Sequence, residues 1–391
     1  MAYAAGTWYT AAEKGVIKRK LLSAQRIALL RITKAFRTTS TDALLVIAGE
    51  PPIDLIIKEQ ALKYMCRQGL PITINGIPYD GMLYERKPSA KALPKPYERG
   101  AIGIAEEAEI ADTNVFTDGS RIEDRVGASY TVFTHGTEIH QGQYRLADHC
   151  SVFQAELFAI LMAVKWCISS SLTSSFIIHT DSRAAIQAMQ QYIDTSQLSI
   201  EIKTLIRENK SNIKVRWVKA HVGIMGNERA DALAKGAIEF TEIAYGKIPL
   251  SFIKKQLRQQ TIEEWQERWT YSEKGRYTYW LLPSIEERIK DLKWLPVDFL
   301  RTQLYSNHCN TKEYLNRIGK DQESICDCED DIESLEHLLT TCIKYENERM
   351  QLHLVAAQTF NTDCTDLYML IRNKDIIQDL KNFTRSILSK S

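Results

Sequence analysis

The chain has 391 residues, enough for two or three domains, and its 44% apolar and 25% charged residues are typical of a globular protein. Its formal net charge of +1 does not exclude nucleic acid as a partner, because binding depends on where the basic residues cluster. No stretch approaches the roughly 18 consecutive apolar residues of a membrane-spanning helix, so we expect no membrane partner.

The first part of the chain, residues 1–85, is predicted to be helical. Its apolar residues recur at helical spacing between Leu21 and Ile32. Residues 86–109 combine prolines with lysines, which predicts an extended linker. The basic charge of this linker could contact a phosphate backbone, or the linker could be a solvated spacer.

The middle part of the chain, residues 110–242, alternates between strand-like and helix-like patterns. The order of these elements predicts an α/β fold, with flanking helices on a five-stranded mixed sheet, between helical N- and C-terminal regions. The predicted strands are 114–118, 127–134, 137–143, 176–180 and 213–218. The predicted helices are 152–166, 183–191, 197–208 and 226–239.

Four carboxylates occupy positions that this fold would bring to one end of the sheet. Asp118 and Asp181 each close an apolar strand, while Glu156 and Asp231 lie on helices. Four converging acids repel one another unless divalent cations neutralise them, and Mg²⁺ or Mn²⁺ prefers oxygen ligands. Two such ions roughly 4 Å apart can activate a water and stabilise the leaving oxygen of a phosphodiester. The pattern therefore predicts a nuclease.

The same part of the chain resembles type 1 ribonuclease H domains, which cut the RNA strand of RNA–DNA hybrids. The matching motifs, in order, are FTDGS at 116–120, QAEL at 154–157, HTDS at 179–182 and KAHVGIMGNERADALAKGA at 219–237. The resemblance implies that two divalent ions are held by Asp118, Glu156, Asp181 and Asp231. It also implies a role in catalysis, through product release, for His221, and contacts to the hybrid for Ser120 and Asn227.

The last part of the chain, residues 250–391, is predicted to be helical and is rich in tryptophan. Trp265 and Trp269 are four residues apart, so they would share one helical face. A stripe packed in the core explains this spacing, and a platform that stacks nucleic-acid bases is the alternative.

A cysteine–histidine cluster lies near the end of this part, at residues 326–342. Its pattern is C-x-C-x8-H-x4-C, formed by Cys326, Cys328, His337 and Cys342. Three thiolates and an imidazole are a ligand set that suits structural Zn²⁺ in a reducing compartment, although the first pair is closer than in most zinc sites. The alternative is that these cysteines are simply buried as small apolar residues.

The flanking parts are similar to Pol polyproteins of arthropod non-LTR retrotransposons of the type-1, ribosomal-DNA-inserting group. The similar segments are residues 21–55, which resemble the region after the reverse transcriptase palm, and the CDC…HLLTTC motif. The parent polyprotein would be an RNA-directed DNA polymerase and endonuclease. This sequence lacks the aromatic-x-Asp-Asp motif of polymerases and the endonuclease domain. The resemblance therefore implies the C-terminal part of such a polyprotein, in a nuclear, intracellular location.

Two functions follow from these patterns. In the first, the chain is an enzyme that removes RNA from RNA–DNA hybrids after reverse transcription. In the second, it is a catalytically weak or inactive nucleic-acid-binding module of a retrotransposon or of a domesticated protein. The sequence leaves the oligomeric state open.

Overall fold

A computed structural model of the protein describes residues 3–85, 102–106, 108–170, 175–191, 196–209, 212–360 and 366–388. Most of the linker predicted at 86–109 lies outside these residues. The chain divides into two compact units. We call them the helical unit, formed by Met1–Tyr64 and Leu257–Ser391, and the sheet unit, formed by Met65–Gln256.

The helices and the strands are numbered separately, each in chain order. The helices are α1 (Ala5–Ala12), α2 (Gly15–Thr33), α3 (Thr41–Ala48), α4 (Ile53–Gln68), α5 (Val152–Ser169), α6 (Arg183–Gln190), α7 (Gln197–Glu208), α8 (Met225–Ala237), α9 (Leu250–Thr270), α10 (Arg276–Leu281), α11 (Ile285–Lys290), α12 (Phe299–Ser306), α13 (Lys312–Arg317), α14 (Leu335–Thr340), α15 (Glu346–Phe360), α16 (Leu367–Leu370) and α17 (Ile377–Leu388). The strands are β1 (Ile72–Ile74), β2 (Ile77–Tyr79), β3 (Thr113–Ile122), β4 (Arg125–Thr134), β5 (Thr137–Leu146), β6 (Phe176–Thr180), β7 (Ile213–Trp217) and β8 (Ile243–Tyr245).

The main sheet of the sheet unit has, within the described residues, six strands in the order β7-β6-β3-β4-β5-β8. Strands β3, β4 and β5 pair antiparallel, whereas β6 pairs parallel with both β3 and β7. This arrangement confirms the predicted mixed sheet with flanking helices. A sixth strand, β8, pairs parallel with β5. Strand β8 was not predicted because three residues are too few to show an alternating pattern.

Helix α5 forms the centre of the sheet unit's core. Its side chains from Gln154 to Leu161 are all buried, and a serine cap with a reciprocal glutamine bond fixes its first turn. By length and composition α5 is apolar enough to cross a membrane, but 61% of it is buried within the protein. A buried helix of a globular core passes the same test, so this composition agrees with the position of α5 in the fold.

The helical unit has a core of its own, to which both the N-terminal and the C-terminal parts of the chain contribute. Trp265 and Trp269 are 2% and 1% exposed, and the Trp269 indole donates a hydrogen bond of 2.9 Å to the Leu282 carbonyl. The two tryptophans therefore pack in the core, and the alternative of a base-stacking platform is wrong. Arg288 is buried nearby and donates hydrogen bonds to the Val46 and Ile47 carbonyls at the end of α3.

Candidate active site

Asp118 lies where the parallel and antiparallel parts of the sheet separate. The last parallel pair between β3 and β6 joins Thr117 to Thr180, one residue before Asp118. The sequence predicted that β3 ends at Asp118, but the strand continues to Ile122. The reason is that β4 keeps pairing with β3 beyond Asp118, which lies opposite Ser129. Asp118 is therefore inside a strand but at the edge of the parallel ladder.

Asp181 follows β6 directly, at the same edge of the sheet. The side chain of Asn227 donates a hydrogen bond of 3.4 Å to the Asp181 carboxylate, and Asn227 is only 2% exposed. The indole of Trp217 donates a hydrogen bond of 3.0 Å to the Asp181 backbone carbonyl. Both the carboxylate and the backbone of Asp181 are thus held by neighbouring elements.

Glu156 reaches this edge from α5 because the helix approaches β3 very closely. A Cβ atom at Gly119 would lie 2.5 Å from the Glu156 backbone nitrogen, far inside a normal contact. Only glycine permits this approach. The close packing brings the Glu156 carboxylate beside those of Asp118 and Asp181, with ligand oxygens of the three residues all within 4.8 Å of one another.

The three carboxylates lie in an unfavourable environment for negative charge. Asp118 and Glu156 are each 7% exposed. Burial and the charges of Asp181 and Asp231 raise the pKa of Asp118 to about 7. Burial raises the pKa of Glu156 well above its ordinary value, and the charges of Asp118 and Asp181 add to this effect. Within the described residues, one buried carboxylate oxygen of Glu156 has no hydrogen-bond partner.

Asp231 belongs to a second group of possible ligands on and before α8. Its carboxylate lies within 4.8 Å of ligand atoms of His221 and Glu228, and it pairs with Lys235 at 2.7 Å. The sequence predicted four carboxylates at one point. The structure instead brings three together and places Asp231 in the neighbouring group, close enough for its charge to raise the pKa of Asp118.

The loop before α8 places His221 at the surface. His221 is exposed and has a left-handed backbone with φ of 53°, and Gly223 has φ of 81°. Helix α8 then packs tightly on β3, since a Cβ atom at Gly226 would lie 2.2 Å from the Phe116 ring. Ser120, predicted to contact the hybrid, is half-buried two residues after Asp118 on the same face of β3.

Some residues beside the site were not predicted from the sequence. Glu228 and Lys235 lie three residues before and four residues after Asp231, and this helical spacing could have identified them. Trp217 and Arg183 gave no such signal. The Arg183 guanidinium lies 4.4 Å from the centre of the Trp217 ring, but the two residues are far apart in sequence and are brought together only by the fold.

The cysteine–histidine residues in the helical unit also come together. Ligand atoms of all four lie within 4.8 Å of one another. The Sγ atoms of Cys326 and Cys342 are 3.7 Å apart, close to the ~3.8 Å edge of a tetrahedron with metal–sulfur bonds of about 2.3 Å. The Nε2 atom of His337 is 3.2 Å from the Cys328 Sγ atom. Its Nδ1 atom is 3.0 Å from the Thr341 hydroxyl, so Nε2 faces the thiols.

Comparison with known proteins assigns a family to part of the sheet unit. Residues 111–239 match the ribonuclease H family model. A relative from Drosophila melanogaster, the putative 115 kDa protein in type-1 retrotransposable element R1DM, is 42% identical over 73 residues, which are 19% of this chain and 7% of that protein. The Pol polyprotein from type-1 retrotransposable element R1 of Bradysia coprophila is 29% identical over 25% of this chain and 10% of its own length. The chain thus spans at most a tenth of these two relatives.

A further relative matches over a longer region. The R1 Pol polyprotein of Popillia japonica is 21% identical over 62% of this chain and 97% of its own length. Among solved structures, that of native prototype foamy virus protease-reverse transcriptase covers 35% of this chain and 22% of its own, at 16% identity and a TM-score of 0.31. The chain therefore contains a domain of the ribonuclease H family, a nucleic-acid hydrolase family that generally uses divalent metal ions, and its relatives are R1 type-1 retrotransposon proteins of insects, consistent with the C-terminal part of a Pol polyprotein.

Proposed function

We propose that the chain hydrolyses the RNA strand of RNA–DNA hybrids, with divalent metal ions, as the C-terminal portion of a retrotransposon reverse transcriptase polyprotein. The observation that carries this proposal is the meeting of Asp118, Glu156 and Asp181 within 4.8 Å in a ribonuclease H family domain. Buried like charges destabilise a fold, so a site that gathers them needs a compensating cation.

The residues present fit hard divalent cations. All donors in the group are carboxylate oxygens, and one buried oxygen of Glu156 has no partner in the described part of the chain. Mg²⁺ and Mn²⁺ prefer such ligands. We assign the first ion to Asp118, Glu156 and Asp181, and a second to Asp118 together with Asp231. Bound ions of this kind would activate a water and stabilise the leaving oxygen of a phosphodiester.

The chain's own residues prepare this site in three ways. Asn227 holds one oxygen of Asp181 through its amide, which fixes the direction of that carboxylate. Lys235 pairs with Asp231 and partly offsets its charge. His221 lies exposed beside Asp231 and Glu228, where an imidazole can exchange protons with solvent or product. We propose that His221 assists proton transfer or product release.

We propose that RNA is recognised at its 2′-hydroxyl, the group that distinguishes it from DNA. Ser120 lies on the same face of β3 as Asp118, so its hydroxyl is a candidate for this contact. Asn227 was predicted to contact the hybrid as well, but its amide is buried against Asp181, which favours a role in orienting that carboxylate. The resemblance to retrotransposon proteins leads us to propose a nuclear location.

A structural Zn²⁺ in the helical unit is a second part of the proposal. Three thiols and one imidazole are soft ligands that prefer zinc to Mg²⁺. The spacing of the Cys326 and Cys342 sulfur atoms and the direction of His337 suit a tetrahedral site. The hydrogen bond of the Nδ1 atom to Thr341 is the type of second bond that fixes a ligating imidazole.

Incubation of the full chain with labelled duplexes tests the nuclease proposal. We expect RNA–DNA hybrid to be cut in its RNA strand with Mg²⁺ and to remain intact in EDTA, while DNA duplex remains intact in both. A protein that binds the hybrid equally in EDTA and with Mg²⁺ but never cuts it would instead be the binding module that the sequence also allows.

A further inference from the structure

Arg183 lies at the rim of the carboxylate site, immediately after Asp181 and the capping residue Ser182. It is exposed, and among the described residues no carboxylate forms an ion pair with it. Two other cations of this region are paired instead. Lys235 is paired with Asp231, and Arg229 is paired with Glu138. Arg183 therefore presents its positive charge to solvent beside a cluster of acids.

The side chain of Arg183 is held in place by Trp217. The guanidinium carbon lies 4.4 Å from the centre of the Trp217 ring, which is a cation–π contact. A guanidinium that rests its face on an aromatic ring keeps its N–H groups free around the edge. Those in-plane donors match the oxygens of a phosphate, which they can bind in pairs. The stacking also limits the rotamers of Arg183, so less conformational entropy is lost on binding.

The same tryptophan contacts the reactive edge of the sheet. Its indole N–H donates to the backbone carbonyl of Asp181 at 3.0 Å, and Trp217 is 38% exposed. One ring thus fixes the backbone of a site carboxylate and the side chain of the neighbouring cation. Two residues span at most ~7 Å, so the distance between the Asp181 and Arg183 positions is fixed within a short range.

We infer that Arg183, supported by Trp217, forms a phosphate-binding site for the nucleic-acid backbone, next to the phosphodiester held at the carboxylates. A cluster of acids repels a polyanion, so a nuclease of this design needs positive charge at the rim as well as bound ions. Arg183 supplies that charge on the side of the site where β6 and β7 end. The inference rests on the proposed function in taking nucleic acid as the ligand.

The test measures binding rather than cleavage. The full chain with Asp118→Asn, which prevents cutting, is titrated with a labelled RNA–DNA hybrid over a range of salt concentrations. Adding Arg183→Gln should weaken binding about tenfold, because a charge-assisted bond is lost. It should also reduce the slope of log Kd against log salt by about one. The matched control is Lys165→Gln, which removes the same charge from a residue of α5 paired with Glu201.

Further variants separate charge from geometry. Arg183→Lys should keep the salt slope but recover only part of the affinity, because an ammonium cannot bind phosphate in pairs. Trp217→Phe should keep the stacking surface and most of the affinity. Trp217→Leu should weaken binding, and a further Arg183→Gln change should then cost less than it does with Trp217 present. Additive losses would overturn the role of Trp217.

Outcomes for the two proposals can be told apart. If Arg183→Gln and Lys165→Gln give the same affinity and salt slope while the unaltered chain cuts hybrid, the phosphate site is wrong and the nuclease assignment stands. Alternatively, Arg183→Gln could lower the affinity and the salt slope as expected while the unaltered chain never cuts hybrid. The phosphate site then stands and the nuclease assignment is wrong. If inorganic phosphate competes with hybrid equally well in the Arg183→Gln and Lys165→Gln variants, Arg183 does not bind phosphate.

Discussion

The two clusters of possible metal ligands in this chain are built in opposite ways. The carboxylates of the sheet unit project from β3, from α5 and from the end of β6, each part of a packed core. In the helical unit, Cys326 and Cys328 come from a turn closed by a bridge between Ile325 and Ile332, and His337 comes from the short helix α14. Cys342 lies two residues after the end of α14. The first site is thus positioned by its scaffold, whereas the second has little regular structure to support it.

The pKa values of the ligand residues also differ between the two sites. At the carboxylate site, burial and repulsion raise the pKa values of Asp118 and Glu156, so the fold holds the acids together against their preference. At the thiol site, burial raises the pKa of Cys326, while the pKa of Cys328 is lowered by a backbone hydrogen bond from Asp330. The comparison teaches that metal should serve charge balance and chemistry at the first site and local folding at the second.

The largest effect is therefore expected from loss of the zinc ligands. Structural zinc contributes about 10–16 kcal/mol in isolated zinc-finger peptides, so a segment that depends on it should open when it is lost. Cys328→Ser should abolish zinc in elemental analysis of the purified chain and increase hydrogen exchange across residues 326–342. Cleavage of hybrid with Mg²⁺ should persist.

The matched control for this change is Cys309→Ser, a buried cysteine of the same unit outside the cluster. It should leave zinc in place. Freshly purified, well-folded protein that contains no zinc would show that the cluster is four buried side chains rather than a metal site.

The next largest effect is expected at the carboxylate site, where a substitution should lower the rate of cleavage without lowering stability. Asp118→Asn should lower kcat for hybrid cleavage by more than about a thousandfold, equivalent to about 4 kcal/mol, because the site loses charge that divalent ions require. Thermal unfolding in EDTA should show no loss of stability, since a buried repulsive acid has been removed.

Asp124→Asn is the control, since Asp124 is an exposed acid of the β3–β4 turn paired with Arg121. It carries the same change in charge and should retain full activity. If the Asp118 variant cleaved hybrid within tenfold of the unaltered chain, the assignment of the site would be wrong.

These two sites also show what sequence alone could give. The acids of the sheet unit were predicted from apolar stretches that indicate strands and helices, such as Phe176–Thr180, which precedes Asp181, and Val152–Ser169, which carries Glu156. The extension of β3 to Ile122 could not be found, because it depends on continued pairing with β4. The stacking of Arg183 on Trp217 likewise depends on how β7 lies beside β6, a tertiary relation that no local pattern carries.

The raised pKa of Asp118 allows a test of how far burial and repulsion destabilise the carboxylate site. The folded pKa is about 7 and the ordinary value is 3.8, so between these pH values the folded state binds more protons than the unfolded state. The free energy of unfolding without metal should therefore fall as pH rises from about 4 to about 7. The ~3-unit shift limits the part of this fall that comes from Asp118 to about 4 kcal/mol.

Urea unfolding in EDTA at about pH 5 and about pH 8 measures most of this fall in stability. The Asp118→Asn variant should lose the part of this difference that comes from Asp118, and saturating Mg²⁺ should reverse the difference by stabilising the charged form. Equal stability of the unaltered chain at both pH values would mean that the scaffold does not hold these acids against repulsion.

The smallest effect is expected at His221, which lies outside the group formed by Asp118, Glu156 and Asp181. If it moves protons or helps product leave, His221→Ala should lower kcat by about 10²–10³-fold, within the range of acid–base assistance. The dependence on Mg²⁺ should remain unchanged, because the three carboxylates stay in place.

A suitable control is His135→Ala, since His135 is also exposed and has φ of 52° against 53° at His221. Both changes carry the same backbone cost, so any excess loss at His221 reports on its imidazole. A loss as large as that of Asp118→Asn, with a weaker response to Mg²⁺, would instead make His221 a metal ligand and would join the second group on α8 to the first.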